Sequence, residues 1–455
     1  MFRFYIALLM GKIARIAIKI LGRSGGTNYP GQLALKICPQ LLAYVGRPEK
    51  IIAITGTNGK TTTSNLLADI FEKNGYTITT NRFGSNIDTG IATSLLTGVT
   101  LANKPKNKLA VLEVDERSSL KIYNYIKPDF LVCTNLLRDS LFRNPHPYFI
   151  FDIIEKALPS KTVLVLNADD LITARLGSLK GNRRVYYSVA RFPEDRDEPF
   201  NLTNDMALCP LCGAPLKFSY VKYNHIGRAY CPSCSFGSPA ADYTLKAVLD
   251  NEIEVAENES EDRYHMVYGT IHFLYDEIAA IAAARSFGLS ADQIKRALAD
   301  ASVVSTRLEE VSEGEVKIIT YMTKSQIATA CSGVFDIVRG FPGKKEVVLI
   351  LDELHGNVSE NMSYIYDTDY EFLNHESISR IVIVGARCKD NYLRLLLAGV
   401  PAERLAMSET GEDAAELLEL APGSTLFILP DLTQPAEAEK IRQAVLGRLR
   451  SGKEA

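Results

Sequence analysis

The stretch IIAITGTNGKTTTSNLLADIFEKNGY (51–76) decides the fold. Its first five residues form a short apolar run rich in β-branched side chains, which predicts a buried strand. A glycine-rich turn follows, then a segment of helical period that Gly75 closes. Strand, turn and helix in this order make a phosphate-binding loop. Gly56 and Gly59 let backbone N–H groups approach phosphate oxygens with no Cβ in the way. Lys60 supplies positive charge for the β- and γ-phosphates, and Thr61 can offer its hydroxyl to Mg²⁺. Gly56, Thr57, Asn58, Gly59, Lys60, Thr61 and Thr62 are therefore the candidate ATP-binding residues. The spacing is shorter than the general GxxxxGK[ST] pattern, because Ile54 stands where its first glycine would fall. The alternative is a structural βα turn.

Outward from the loop, LAVLEV (109–114), FLVCTN (130–135) and TVLVLN (162–167) read as further buried strands separated by helical stretches. That alternation predicts an open, mostly parallel α/β sheet. Glu113, at the end of an apolar strand, is a plausible oxygen ligand for magnesium; the alternative is a solvated strand-end acid. Regular structure is expected to resume with IHFLYDEIAAIAAARSFG (271–288). A second α/β unit follows, with strands at KIITYM (317–322), EVVLILDE (346–353), RIVIVG (380–385) and STLFILP (424–430). Three regions are expected: an amphipathic helix and connector (1–48), a central ATP-binding domain (49–304), and a C-terminal α/β, Rossmann-like domain (305–455). The last boundary is placed near Ser302–Arg307.

Residues at about 205–240 break this pattern. CPLC (209–212) and CPSC (231–234) are two knuckles that can place four thiolates around one ion. Cys209, Cys212, Cys231 and Cys234 are thus candidate ligands of a structural Zn²⁺ in an inserted ribbon. A closed four-thiolate site leaves no open position for catalysis. His225, between the knuckles, is a rival ligand that four thiolates make unnecessary. The other four cysteines (Cys38, Cys133, Cys331, Cys388) are isolated and expected to be small buried side chains.

A net charge of -3 over 455 residues gives no polyelectrolyte signal, so nucleic acid is not expected as a partner. No cleavable signal peptide is evident, and a cytoplasmic setting is expected, where paired cysteines hold metal. At the start of the chain, Lys12, Arg15, Lys19 and Arg23 recur at spacings of three and four. They form one helical face. One reading is a basic amphipathic helix on the inner face of an anionic membrane. The other is an ordinary helix packed on the domain.

GTNGKTT resembles the phosphate loop of the Mur ligase family, and LEVDE (112–116) and LNADD (166–170) follow in the family's order. The resemblance implies Glu113 as the Mg²⁺ ligand and Asn167 and Asp170 near the adenosine. It also implies Arg307 at the nucleotide phosphates. The four-cysteine insertion, TNRFGSNIDTGIAT (80–93), TNLLRD (134–139) and YIYDTDYEF (364–372) narrow it to the family's MurT branch. These synthetase subunits work with a GatD-like glutaminase. The implied reaction is amidation of the D-glutamate α-carboxylate of the lipid II stem peptide, by ATP and through an acyl phosphate. Ammonia would come from the partner, since no glutaminase machinery is visible in this chain.

Several positions depart from the family pattern. Ser140 and Phe142 replace expected residues after the TN strand, Thr306 precedes Arg307, and Lys324-Ser325-Gln326 stands for a Lys-Asn-Pro segment. Asn361 stands where the branch has an aspartate implied to complete the partner's Cys–His pair. Asp367 or Asp369 could supply that carboxylate; otherwise both belong to a solvated acidic loop. Two other functions stay open: a paralogue that binds nucleotide and partner without turnover, and a Mur-fold ligase that adds an amino acid.

Overall fold

The structure is a computed structural model that describes residues 1–21, 28–82, 84–139, 146–258, 260–267, 269–299, 308–351 and 362–451. Arg307, Asn361, Ser140, Phe142 and Thr306, and the boundary placed at Ser302–Arg307, lie outside the described residues. The chain divides into two compact units, the first from residues 1–137, 146–200 and 204–303. The second is built from the residues after these, together with Arg138, Asp139 and Asn201–Thr203.

The first unit opens with helices α1 (Phe2–Ile20), α2 (Tyr29–Ile37) and α3 (Leu41–Tyr44). Then come β1 (Lys50–Thr55), α4 (Lys60–Lys73), β2 (Ile78–Thr80), α5 (Asp88–Thr97), β3 (Leu109–Glu113), α6 (Ser119–Ile122) and β4 (Phe130–Cys133). They are followed by α7 (Pro147–Ala157), β5 (Val163–Asn167), β6 (Arg184–Val189), β7 (Lys217–Tyr223) and β8 (Ile226–Tyr230). The unit closes with β9 (Tyr243–Leu249), β10 (Glu252–Glu257), β11 (Ser260–His265), α8 (Ile271–Phe287) and α9 (Ala291–Ala299).

Among the described residues, one sheet runs in the order β11-β10-β9-β6-β5-β4-β1-β3-β2. It is parallel from β2 through β9 and antiparallel over β9, β10 and β11. Alternate residues of the central strands enter two cores. Ile51 and Ala53 pack with α1, α2, α5 and α7, whereas Ile52 and Ile54 pack with α4, α8 and α9. A sheet covered on both faces explains why these strands read as continuous apolar runs. Gly75 (φ 83°) and Gly288 (φ 117°) end α4 and α8 in the left-handed conformation. Regular structure resumes earlier than expected: β9–β11 already extend the sheet before α8. Strands such as EIEVAE and SEDRYH hide in the sequence because their charged positions alternate at an antiparallel edge.

The second unit contains β12 (Leu308–Glu313), β13 (Val316–Tyr321), α10 (Ala328–Gly340), β14 (Lys345–Ile350), β15 (Ile378–Val384) and α11 (Cys388–Leu397). It ends with β16 (Leu405–Ser408), α12 (Gly411–Ala414), β17 (Thr425–Pro430) and α13 (Pro435–Ser451). Its sheet has the order β12-β13-β17-β14-β15-β16, parallel except for the β12–β13 pair. Ser325, from the divergent Lys324-Ser325-Gln326 segment, is buried and donates its N–H and hydroxyl to Asp431.

The basic side of α1 is not the free side. Lys12 Nζ donates to the carbonyls of Leu96 and Val99 (2.7 and 2.6 Å), and Arg15 donates to Thr97 Oγ1 (2.8 Å). These cations close the C-terminal end of α5, where helix carbonyls lack intrahelical partners. Of the two readings of α1, Lys12 and Arg15 agree with a helix packed on the domain, while Lys19 remains exposed.

Candidate nucleotide site and four-cysteine cluster

The loop after β1 is shaped by the residues that follow β4. The Thr57 N–H donates to the Asn135 carbonyl (2.8 Å) and the Asn58 N–H to Asn135 Oδ1 (3.0 Å). Thr134 Oγ1 donates to the Asn58 carbonyl (2.6 Å). Gly56 has φ 126°, and a Cβ there would meet Thr134 Oγ1 at 2.2 Å. Gly59 has φ 83°, and a Cβ there would meet Asp276 Oδ1 at 1.9 Å. Both glycines are thus demanded twice, by conformation and by close approach. Gly59 leads directly into α4 at Lys60, so helix N–H groups open toward the loop.

Lys60 is folded back onto its own loop. Its ammonium donates to Glu116 Oε1 (2.8 Å), to the Thr57 carbonyl (3.2 Å) and to the Gly56 carbonyl. Glu116 Oε1 also accepts the Gly56 N–H (3.2 Å). Burial alone would lower the Lys60 pKa, but the Glu116 charge and hydrogen bond outweigh it and raise it. Lys60 is therefore held as a cation. Glu116 was not singled out in the sequence, although it closes the same LEVDE run that holds Glu113 and Asp115.

Thr61 and Glu113 come together, with Thr61 Oγ1 2.9 Å from Glu113 Oε2. The other carboxylate oxygen accepts from Asn86 Nδ2 (2.9 Å). Asn81 grips the Glu113 backbone through both its amide atoms (2.8 and 2.9 Å). Thr61 is exposed and Glu113 half-buried, so this hydroxyl–carboxylate pair is open to solvent beside the loop. It fits a divalent cation that takes few protein oxygens and keeps waters or phosphate oxygens. Asn81 and Asn86 were not singled out in the sequence. Thr62, also expected at the nucleotide, is half-buried in the first turn of α4.

Asn167 and Asp170 have internal partners instead of free groups. Both are fully buried. Asn167 Nδ2 donates to the Thr134 carbonyl (3.3 Å), and its Oδ1 accepts the Asp169 N–H (3.0 Å). Asp170 accepts from the N–H groups of Leu136 (2.7 Å) and Ile172 (2.9 Å) and from the Thr173 hydroxyl. His225 Nε2 lies 3.3 Å from Asp170 Oδ1. Asn167 and Asp170, which the family resemblance implies near the adenosine, here hold the segment after β4 through the Thr134 carbonyl and the Leu136 N–H. Burial would raise the Asp170 carboxyl, but hydrogen bonds and charge from His225, Thr173 and Leu136 outweigh it and hold it below the ordinary value.

A depressed folded-state pKa gives stability that is complete above the unfolded value, about 3.9, and lost as pH falls through the folded one. Asp170→Asn presents N–H groups to N–H donors and is expected to cost about 1–3 kcal/mol. The loss should shrink in acid, so wild-type and variant melting temperatures measured from neutral pH downward will converge.

The four cysteines stand where the knuckles enter and leave the β7–β8 hairpin. Their Sγ atoms all lie within 4.8 Å of one another. Cys209 and Cys234 are 3.6 Å apart, and Cys212 and Cys231 3.4 Å. A disulfide needs about 2.05 Å, whereas a tetrahedron with Zn–S bonds of about 2.3 Å spaces its sulfurs near 3.8 Å. The donor set and spacing fit a four-thiolate ion. Buried His225 is turned to Asp170, so it does not compete.

In the second unit Asp367 and Asp369 differ. Asp369 is 2% exposed and accepts from Asn201 Nδ2 (2.8 Å) and the Leu202 N–H (2.6 Å). Asp367 is half-exposed and pairs only loosely with Arg138, at 3.5 Å.

Comparison with known proteins agrees with this geometry. Residues 54–205 match the Mur ligase middle domain, and residues 328–434 match the MurT ligase C-terminal domain. The chain is 29% identical to the MurT subunit of lipid II isoglutaminyl synthase from Staphylococcus aureus (strain COL), covering 88% of this chain and 89% of that one. It is 27% identical to the same subunit from Streptococcus pneumoniae (strain ATCC BAA-255 / R6), over 96% of both. Among solved structures, the pseudomurein peptide ligase type C of Methanothermus fervidus superposes with a TM-score of 0.67 at 21% identity, over 90% of this chain and 81% of that one. MurF from Thermotoga maritima in complex with ADP gives 0.59 at 16% identity, over 94% and 85%. Two domain matches and near full-length likeness agree: the chain belongs to the Mur ligase family, as a divergent member of its MurT type.

Proposed function

We propose that this chain is the ATP-using synthetase subunit that amidates the D-glutamate α-carboxylate of the lipid II stem peptide. The observation that carries the reading is the loop with Lys60 beside the Thr61–Glu113 pair, 2.9 Å apart, in a chain whose relatives are named as MurT subunits. A carboxylate oxygen of the peptide attacks the γ-phosphorus of ATP, and the bond to ADP breaks. Ammonia then attacks the acyl carbon, phosphate leaves with the electron pair, and one proton is lost from nitrogen. Positioning and charge neutralisation do most of the work in such a transfer.

In this reading the loop N–H groups cradle the phosphates and Lys60 moves from Glu116 to them. Thr61 and Glu113 would hold Mg²⁺, which supplies neutralising charge when bound. Asn81 and Asn86 fix the Glu113 carboxylate. Cys209, Cys212, Cys231 and Cys234 would hold Zn²⁺ as a structural ion. A GatD-like glutaminase delivers the ammonia, and Asp367, half-exposed and only loosely paired with Arg138, is the carboxylate that orients that partner's histidine, since Asp369 is committed to Asn201 and Leu202.

The test is product formation from lipid II, Mg-ATP and isotopically labelled ammonium. Label is expected in one carboxamide of the stem peptide, with matching ADP release. Label-free product with an amino acid added would favour an amino-acid ligase, and Mg-ATP binding without substrate-dependent ADP release would favour a non-catalytic binder; either overturns the reading.

A further inference from the structure

Helix α1 has a second face that nothing among the described residues of the first unit covers. Phe4, Ala7, Leu8 and Gly11 are buried against the domain. On the opposite side, Phe2, Ile6, Leu9, Ile13, Ile16 and Ile20 recur at intervals of four and three and are 38–81% exposed. A helix turns once in 3.6 residues, so these six form one continuous apolar stripe. An isolated exposed leucine needs no explanation, but a stripe the length of a helix does.

Charge selects what it meets. The first 48 residues hold seven Lys and Arg and no Asp or Glu, although the whole chain carries -3. Lys12 and Arg15 are drawn onto α5, leaving Arg3 and Lys19 exposed at the margins of the stripe. A second copy of the helix would bring cations against cations, with no carboxylate on either side to pair them. An anionic lipid surface supplies the missing charge and also takes up the apolar stripe. Among the described residues, no helix is long and apolar enough to cross a membrane. A helix with one buried face, one free apolar face and basic margins is built to lie in a bilayer interface.

We propose that α1 is an interfacial anchor whose free apolar stripe beds into the surface of an anionic bilayer while its other face stays packed on the protein. This goes beyond the ligase reading: it is a lipid-binding surface, measured without nucleotide or turnover, so its fate and that of the enzymatic reading are separate.

The chain contains no tryptophan, so Ile16→Trp places a single reporter on the stripe. With the full-length chain and mixed phosphatidylcholine–phosphatidylglycerol vesicles, the emission should shift to the blue and the protein should sediment with lipid. Binding should weaken with added salt and on pure phosphatidylcholine. The double substitution Ile13→Glu, Ile16→Glu should weaken vesicle binding about ten-fold or more. Its melting temperature should stay unchanged, because both side chains are already largely in water. The proposal is overturned if the wild-type chain stays in the supernatant with anionic vesicles or the reporter does not shift. It is overturned equally if sedimentation equilibrium finds a dimer that the double substitution dissolves while no vesicle binding occurs.

Discussion

Lys60→Ala is expected to lower substrate-dependent ADP release by about 10²–10³-fold, the range for losing one preorganised group at developing charge. The structure adds a second consequence. With the ammonium gone, Glu116 remains 2% exposed against the Gly56 N–H without the cation that balances it. A buried carboxylate that has lost its partner either takes up a proton or repels anions nearby. In the proposed reading, its position beside the loop puts that repulsion where the phosphates of ATP would lie. Lys60→Ala alone should therefore lose more Mg-ATP affinity than the double variant Lys60→Ala, Glu116→Gln. Neither should recover turnover, because the amide restores neutrality and not the missing positive charge. Titration calorimetry gives the affinities and coupled ADP detection the rates. If the single and double variants bind Mg-ATP equally, Glu116 is not the resting partner that governs the loop.

How much of this could be read from the chain alone depended on whether the deciding contact was local. The loop was legible because strand, glycines and Lys-Thr-Thr are consecutive, and β1, β3, β4 and β5 because both faces of their sheet are buried. Glu116 was not, since its meaning lies in a contact with Lys60 across 56 residues and no spacing rule points to it. Asp170 was singled out by a short motif, but the long-range partners of its carboxylate, the Leu136 N–H and His225, were not legible there. In α1 the cationic and apolar periodicities coexist, and only the placement of α5 determines which face is left free. The strands β10 and β11 were hidden by their own charges. β11 is the edge strand, paired to β10, and β10 in turn pairs with β9; Ile253, Val255 and Tyr264 are the few apolar side chains that tie the two strands to the core.

Removing the ion from the cysteine cluster is the other change with a large expected effect. We expect about one zinc per chain by elemental analysis, and near-complete loss in Cys212→Ser, because a closed four-thiolate site has no spare ligand. The two knuckles should then open. Their sulfurs, 3.4–3.6 Å apart, have no other reason to stay together, and thiolates at that distance repel. The hairpin between them should hold on longer than the knuckles. Its Tyr223 and Ile226 belong to the core shared with α8, Tyr220 donates to the Val189 carbonyl (2.7 Å), and Arg228 reaches Asp169 at 3.4 Å. Limited proteolysis of the metal-free protein should therefore cut first near 205–216 and 231–238, before the hairpin strands. A weaker effect should reach the nucleotide loop. His225 sits at the hairpin turn beside Asp170, Asp170 holds the Leu136 N–H, and Asn135 holds Asn58. His225 Nε2 lies 3.3 Å from Asp170 Oδ1, the other two contacts are hydrogen bonds, and Asn135 and Leu136 are adjacent in the chain, so loosening the hairpin should lower Mg-ATP affinity by about a factor of 5, within the usual range for coupled sites. Asp170→Asn cuts this chain in its middle. In that background, stripping the zinc should leave Mg-ATP affinity unchanged from its already lowered value. A full additional loss would mean that the ribbon and the loop communicate by another route.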